Sequence, residues 1–315
     1  AIDSLKAKGL NVIVDVFDTE NDTSKVRSYV QTEKFKNTDV VFGPFSQKNI
    51  AIVVESIKSM PQARIVLPFS TNGNSIKENE QVYLPISTSE TIIKNLAKSI
   101  VEKHGKHNVI LLNSGIKKDE ALFEIFKTTY NEYSIDFPGT KVLNESSIGG
   151  GSGRDFASKI VRKDTNVIIT LSSDRTLASK VMTTLNKVKN KSGGYDDAYI
   201  ETYGMSSWEK YDEIKIPYRL KLNLHIPISY HLNYEAAATK LLMRSYRNKY
   251  NTDPTKNGVH AFDIANYFLS SFFLNRKPAQ VMNDFQMIQR GIGNGYENDH
   301  LKIVYYQDYQ KKVAE

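Results

Sequence analysis

Along most of this chain short apolar runs alternate with longer stretches whose apolar residues recur at three- and four-residue spacing, and that alternation limits the folds open to it. Ile2, Leu5 and Ala7 before Gly9 read as the last turns of an amphipathic helix. Asn11 to Phe17 is a Val/Ile-rich strand candidate, and Asp18 to Asp22 supplies caps for a helix through Phe35. Val40 to Phe42 reads as the next strand, followed by a helix with Ile50, Val53, Val54 and Ile57 on one face. Ile65 to Leu67 is a third strand, closed by Pro68 and a polar loop from Phe69 to Ser75.

Past Val82 to Ile86 the pattern restarts, with a helix on Ile92, Ile93, Leu96, Ile100 and Val101 and a buried strand at Val109 to Leu112. Helices around Ala121 to Tyr133, near Phe156 to Val161 and at Leu177 to Leu185 alternate with strands near Lys141 to Glu145 and Val167 to Leu171. Asn233 to Tyr250 and Val259 to Leu274 read as long helices, and Leu301 to Tyr306 as a terminal strand behind the glycines 291, 293 and 295. Crossovers of this length build doubly wound, mostly parallel sheets with helices on both faces. At 315 residues the chain accommodates two such lobes.

Composition closes off several functions. The excess of 42 basic over 35 acidic residues leaves +7, scattered along the chain, which suits an anionic ligand or envelope surface and falls short of a nucleic-acid arm. Lys187 to Lys191 reads as a solvated helix end. The absence of cysteine excludes disulfides, thiolate nucleophiles and Cys-type zinc sites while leaving the compartment open. No stretch approaches the roughly 18 consecutive apolar residues that span a bilayer. Ala1 to Leu10 has neither the basic start nor the apolar run of a secretion signal.

Catalytic signatures are missing. No His-Glu-x-x-His, no Gly-x-Ser-x-Gly elbow and no phosphate loop ending in Gly-Lys-Ser/Thr occurs, so neither a cofactor nor a metal is expected. His104 and His107 read as a surface pair without a carboxylate at ligand spacing. Gly149 to Gly153 lacks the phosphate-loop lysine and reads as a flexible connection, and Gly291 to Gly295 as a turn.

Two loops at strand ends carry the functional signal. In open α/β sheets ligands sit beyond the carboxyl ends of the strands. Gly43-Pro44-Phe45-Ser46 ends one strand, so Ser46 either caps the following helix or presents its hydroxyl to a ligand. Ser70 and Thr71 in Pro68-Phe69-Ser70-Thr71-Asn72 either bind a polar ligand or satisfy the turn.

These stretches also carry a resemblance. Asp15-Val16-Phe17-Asp18-Thr19, Val41-Phe42-Gly43-Pro44-Phe45-Ser46 and Val66-Leu67-Pro68-Phe69-Ser70-Thr71 resemble successive strand ends of type I periplasmic solute-binding proteins, the branched-chain amino-acid receptor group. Gly153-Arg154-Asp155-Phe156, Asn166-Val167-Ile168-Ile169 and Ala261-Phe262-Asp263-Ile264-Ala265 resemble that family's second lobe and returning helix. Gly295-Tyr296-Glu297-Asn298 with Ile303 to Tyr309 is similar to a branch fused behind LysM peptidoglycan-binding modules in bacterial envelope proteins.

The resemblance implies two Rossmann-like lobes that close as hinged jaws on a small ligand in the interlobe cleft. Residues 1–87 and 230–283 would form lobe 1 and residues 88–229 and 284–315 lobe 2, with crossovers near Ser87, Ser229 and Asp284. Ser46, Ser70 and Thr71 would hold the ligand from lobe 1, with Ser89, Ser172 and Tyr203 facing them from lobe 2. The family places a central strand and the start of a first helix before the position of Ala1, so the first sheet is expected to lack that strand and leave two neighbours unpaired. Two further departures argue against a free α-amino acid. Ser172 and Ser173 stand where the receptors place an aromatic, and Tyr203 where they offer an acid, although a two-residue shift restores Glu201.

The leading expectation is therefore a non-enzymatic, periplasmic or cell-envelope binding module for a small polar or cell-wall-derived ligand. The alternative is a pocketless interaction or assembly module, associated with peptidoglycan or envelope proteins through a fused module. Catalysis ranks third, since no base is positioned on the loop hydroxyls, and nucleic-acid binding ranks last because no recognition helix is legible.

Overall fold

The structure is a computed structural model that describes residues 1–148, 157–190, 194–274 and 282–314. Its helices are α1 (Ile2–Lys6), α2 (Thr23–Tyr29), α3 (Glu33–Lys36), α4 (Gln47–Ile57), α5 (Ser89–His104), α6 (Glu120–Ser134), α7 (Arg175–Val188), α8 (Ile216–Lys221), α9 (Ala237–Tyr250) and α10 (Lys256–Phe273). The strands begin with β1 (Val40–Phe42), β2 (Arg64–Val66), β3 (Val82–Leu84), β4 (Asn108–Asn113), β5 (Asn144–Ser147) and β6 (Thr165–Thr170). They continue with β7 (Tyr199–Tyr203), β8 (Leu224–Ile228), β9 (Met287–Gln289), β10 (Tyr296–Asn298), β11 (Lys302–Gln307) and β12 (Gln310–Ala314).

The chain divides into two compact units, Ala1–Thr88 with Tyr230–His300, and Ser89–Ser229 with Leu301–Glu315. Unit 1 holds a five-stranded sheet in the order β1-β2-β3-β10-β9, parallel except for β9. Unit 2 holds seven strands in the order β12-β11-β8-β7-β6-β4-β5, parallel from β5 to β8 and antiparallel at β11 and β12. This is the expected α/β architecture of two mostly parallel, doubly wound sheets.

Burial explains the uninterrupted apolar runs. In unit 1 Ile65 packs with Ile50, Val53 and Ile57 of α4, while the adjacent Val66 packs with Ile264 and Phe268 of α10. Consecutive side chains point to opposite faces, so a sheet covered on both sides needs apolar residues at both. In unit 2 Val109 to Leu112 and Val167 to Ile169 are sealed by Ile93, Leu96 and Ile100 of α5, Phe126 and Tyr130 of α6, and Val181, Met182 and Leu185 of α7.

Several expectations are corrected. Asn11 to Phe17 forms no strand: Ile13 is 95% and Val16 92% exposed, and β1 ends its sheet on that side. A β-pattern without a neighbouring strand has no ladder to join. The helix expected through Phe35 is broken by Thr32, whose hydroxyl donates to Tyr29 O at 2.7 Å and accepts from Phe35 N at 3.3 Å, stopping α2 and capping α3. The helix expected near Phe156 to Val161 lies partly outside the described residues, as do Gly149 to Gly153 and Lys191; Ala157 is helical, and Ser158 and Lys159 form a turn.

The third passage between units falls after His300, later than the expected position near Asp284. Tyr296–Asn298 stays with unit 1 because it pairs with β3 and its side chains hold the first crossover. Thr88 N donates to Glu297 Oε1 at 2.5 Å, Ser87 Oγ to Asn298 O at 2.7 Å, and Asn298 Nδ2 to Pro85 O at 3.1 Å. Gly295 permits the pairing, since a Cβ there would stand 2.4 Å from Val82 O and 2.7 Å from Asn79 O.

Candidate functional site

The unit 1 site begins at the ends of β1 and β2. These strands pair in parallel with Phe42 opposite Val66, and Gly43 N donates to Val66 O at 2.9 Å, carrying the ladder one step further. Two residues beyond each partner begins the same tripeptide, Pro44-Phe45-Ser46 and Pro68-Phe69-Ser70. The common offset brings the two phenylalanines together, ring centroids 5.5 Å apart, with Phe45 70% and Phe69 40% exposed.

Helix α10 backs this pair. His260 lies 5.5 Å from Phe69 and 4.3 Å from Tyr230, ring to ring, and its Nε2–H donates to Pro68 O at 3.1 Å. Burial holds the imidazole below its ordinary value, against the opposing pull of the Pro68 carbonyl, and raises the Tyr230 phenol. His260 is therefore neutral at pH 7, with Nδ1 as an acceptor that has no partner.

Ser46 stands at the N-cap of α4, yet its side chain makes no cap bond and its Oγ is buried without a partner. One turn on, Asn49 is fully buried with both amide atoms unpaired. Ser70 is half-buried and accepts from Asn72 N at 3.3 Å, leaving its own proton to donate, and Thr71 is exposed. Unit 1 thus sets the half-buried Ser70 and the exposed Thr71 directly after Phe69 in the chain, with the two exposed rings in contact and the Ser46 hydroxyl, which follows Phe45, buried.

The three residues expected to act from lobe 2 all lie in unit 2. Ser89 is the exposed first residue of α5. Ser172 is fully buried: its Oγ accepts from Asp174 N at 3.1 Å and its carbonyl from Trp208 Nε1 at 2.7 Å. Tyr211 donates to Ser173 O at 2.6 Å. The loop after β6 is therefore capped by Trp208 and Tyr211 of the same unit. Trp208 in turn needs Gly204, where a Cβ would come within 2.4 Å of the indole.

Arg219 fixes the Trp208 loop from beneath. It is 8% exposed and donates to the carbonyls of Trp208, Glu209, Tyr211 and Ile214, at 3.4, 3.2, 2.9 and 2.9 Å, and to Tyr306 Oη at 2.9 Å.

Tyr203 is 3% exposed, with its hydroxyl 3.1 Å from His104 Nε2. The same nitrogen lies 3.3 Å from Glu201 Oε2, and Tyr203, His225 and Tyr305 stack across β7, β8 and β11 with centroids 4.8 and 5.5 Å apart. His104 and His107 are consequently not a bare surface pair, since His107 also meets Asp164, at 3.1 Å. Their carboxylates come from far along the chain, Glu201 from β7 and Asp164 from the residue before β6, where local spacing carries no trace of them. Burial, with the neighbouring His225, His107 and Lys103, depresses His104 to about 4, and burial raises Glu201 and Tyr203.

Among the described residues no group of three His, Cys, Asp or Glu is placed to hold a metal ion, and no helix is long and apolar enough to cross a membrane. No protein-family model and no curated protein matches the sequence. Solved structures do match. A Rhodospirillum rubrum protein assigned to branched-chain amino acid ABC transport aligns with 99% of this chain and 92% of its own, at TM-score 0.68 and 14% identity. An ABC transporter substrate-binding protein from Desulfitobacterium hafniense, in complex with Leu, aligns over 99% and 92% at TM-score 0.57 and 12% identity. The C-domain of Haemophilus influenzae LpoA, a regulator of PBP1A, aligns over 99% and 92% at TM-score 0.58 and 13% identity. With two mostly parallel sheets linked by three passages of the chain and these neighbours along 99% of its length, the chain has the type I periplasmic binding protein fold.

Proposed function

We propose that the chain is a non-enzymatic ligand-binding module of the cell envelope that takes a small polar molecule on the unit 1 loops and closes on it by hinge motion. The observation that carries this reading is the in-register pair of Pro-Phe-Ser loops, which sets aromatic and hydroxyl groups side by side at strand ends. The Ser46 hydroxyl has no base bonded to it, which separates the arrangement from an activated nucleophile. The fold shared with substrate-binding proteins points the same way.

A second reading, an envelope assembly module without a small ligand, draws on unit 2. There Trp208 and Tyr211 cover the end of β6, so that loop offers its serine carbonyls to its own side chains. The likeness to LpoA, described as a regulator of PBP1A, accords with it.

A thermal-shift screen with amino acids, short peptides, sugars and peptidoglycan fragments separates the two. A ligand at 100 times its dissociation constant adds about 2.7 kcal/mol, enough to raise the melting temperature by several degrees. The first reading expects one class to do so, and a flat screen moves the assignment to the second.

A further inference from the structure

Resting on the ligand-binding reading, we infer that the unit 1 loops take a neutral carbohydrate, one sugar ring stacked on the more exposed Phe45 and flanked by Phe69, whose plane is tilted 56° to it, with the sugar hydroxyls bonded by Ser70 and Thr71. Two exposed phenylalanines in contact are unusual on a loop that must remain in water, and here they are held in place. Phe69 rests on His260, which is itself fixed to Pro68 O and packed on Tyr230. A preordered aromatic platform loses little freedom when a ligand settles on it.

The chemistry around the platform selects the ligand class. Neither Gly43 to Ser46 nor Pro68 to Asn72 carries a charged side chain. A free amino acid or a phosphate seated there would find no counter-charge in the loops, whereas a neutral sugar needs none. The aromatic faces are negative and attract the polarised C–H groups of a pyranose. The hydroxyls of Ser70 and Thr71 both donate and accept, as sugar hydroxyls do.

The test is saturation-transfer NMR with calorimetry on the full chain, using N,N′-diacetylchitobiose, cellobiose and maltose as probes and leucine and glutamate as charged controls. At least one disaccharide is expected to bind. F45A and F69A should each weaken it about tenfold, with F45W retaining affinity, as loss and restoration of a stacking ring predict. Because Phe45 is exposed, F45A should keep the wild-type melting temperature. Leucine or glutamate binding while every sugar is inert overturns the carbohydrate assignment and keeps the ligand-binding reading. Sugar binding untouched by F45A and F69A overturns the platform. No binding by any compound overturns the ligand-binding reading and this inference with it.

Discussion

Replacing Arg219 by methionine tests how the Trp208 loop is held. The guanidinium serves four carbonyls and one phenol, and among the described residues no carboxylate is one of its hydrogen-bond partners. Methionine fills much of the volume and bonds none of them. A buried polar group left unmet costs about 1–3 kcal/mol. The sum is moderated because a relaxed loop re-solvates some carbonyls and because no charge need then be desolvated, so the net loss should be about 3–5 kcal/mol. With a urea slope near 2 kcal/mol per molar, the unit 2 midpoint falls by about 2 M. Trp208 is the chain's only tryptophan, so its fluorescence follows this transition without a label. R219K should lose nearly as much, since an ammonium cannot span the fork. A midpoint change worth less than about 1 kcal/mol in R219M would refute the view that Arg219 organises the loop.

Three further outcomes follow from the same geometry. Gly295→Ala forces a Cβ against two backbone oxygens and should cost about 2–4 kcal/mol, read as faster hydrogen exchange at Val82–Leu84; unchanged exchange removes the close-approach argument. Ser46→Ala removes an unpaired hydroxyl and should shift unit 1 stability by less than about 0.5 kcal/mol in urea titration, whereas a capping serine would cost about 1 kcal/mol. His104 takes its proton near pH 4 when folded and near 6.5 when unfolded. Between those values the unfolded chain binds more protons, so stability present above pH 6.5 drains away as the pH falls to 4, by up to about 3 kcal/mol, offset in part by Glu201, whose raised value acts in the opposite direction. H104Q should flatten the acid-side stability curve by about one proton, and an unaltered slope would show that the buried imidazole is not the cause.

Much of the architecture was legible because parallel sheets covered on both faces write continuous apolar runs, as at Val109 to Leu112 and Val167 to Ile169. What escaped has local causes. β8 carries Pro227, which weakens a strand signal, yet Pro227 sits opposite Ile303 in the antiparallel pair with β11. β12 reads Gln-Lys-Lys-Val-Ala, and its turn is built on Asp308 and Tyr309 at φ 52° and 60°, with no glycine to mark it. Asn11 to Phe17 has the strand pattern and no neighbour, so pattern alone misled.

The candidate loops were locatable in part for the same reason. Ser46, Ser70 and Thr71 follow strand ends that the pattern located, whereas the Phe45–Phe69 contact needs the β1–β2 register, for which the repeated Pro-Phe-Ser was the only local sign. The Trp208 and His104 clusters join residues from separate strands and loops, and no spacing rule foretells them.

Hydrogen exchange with and without the compound that gives the largest thermal shift tests the central claim most directly. The account predicts slower exchange of the amides at Phe45 to Gln47 and Phe69 to Asn72 when the ligand saturates. Saturating binding that leaves both loops exchanging at their free rates would contradict it.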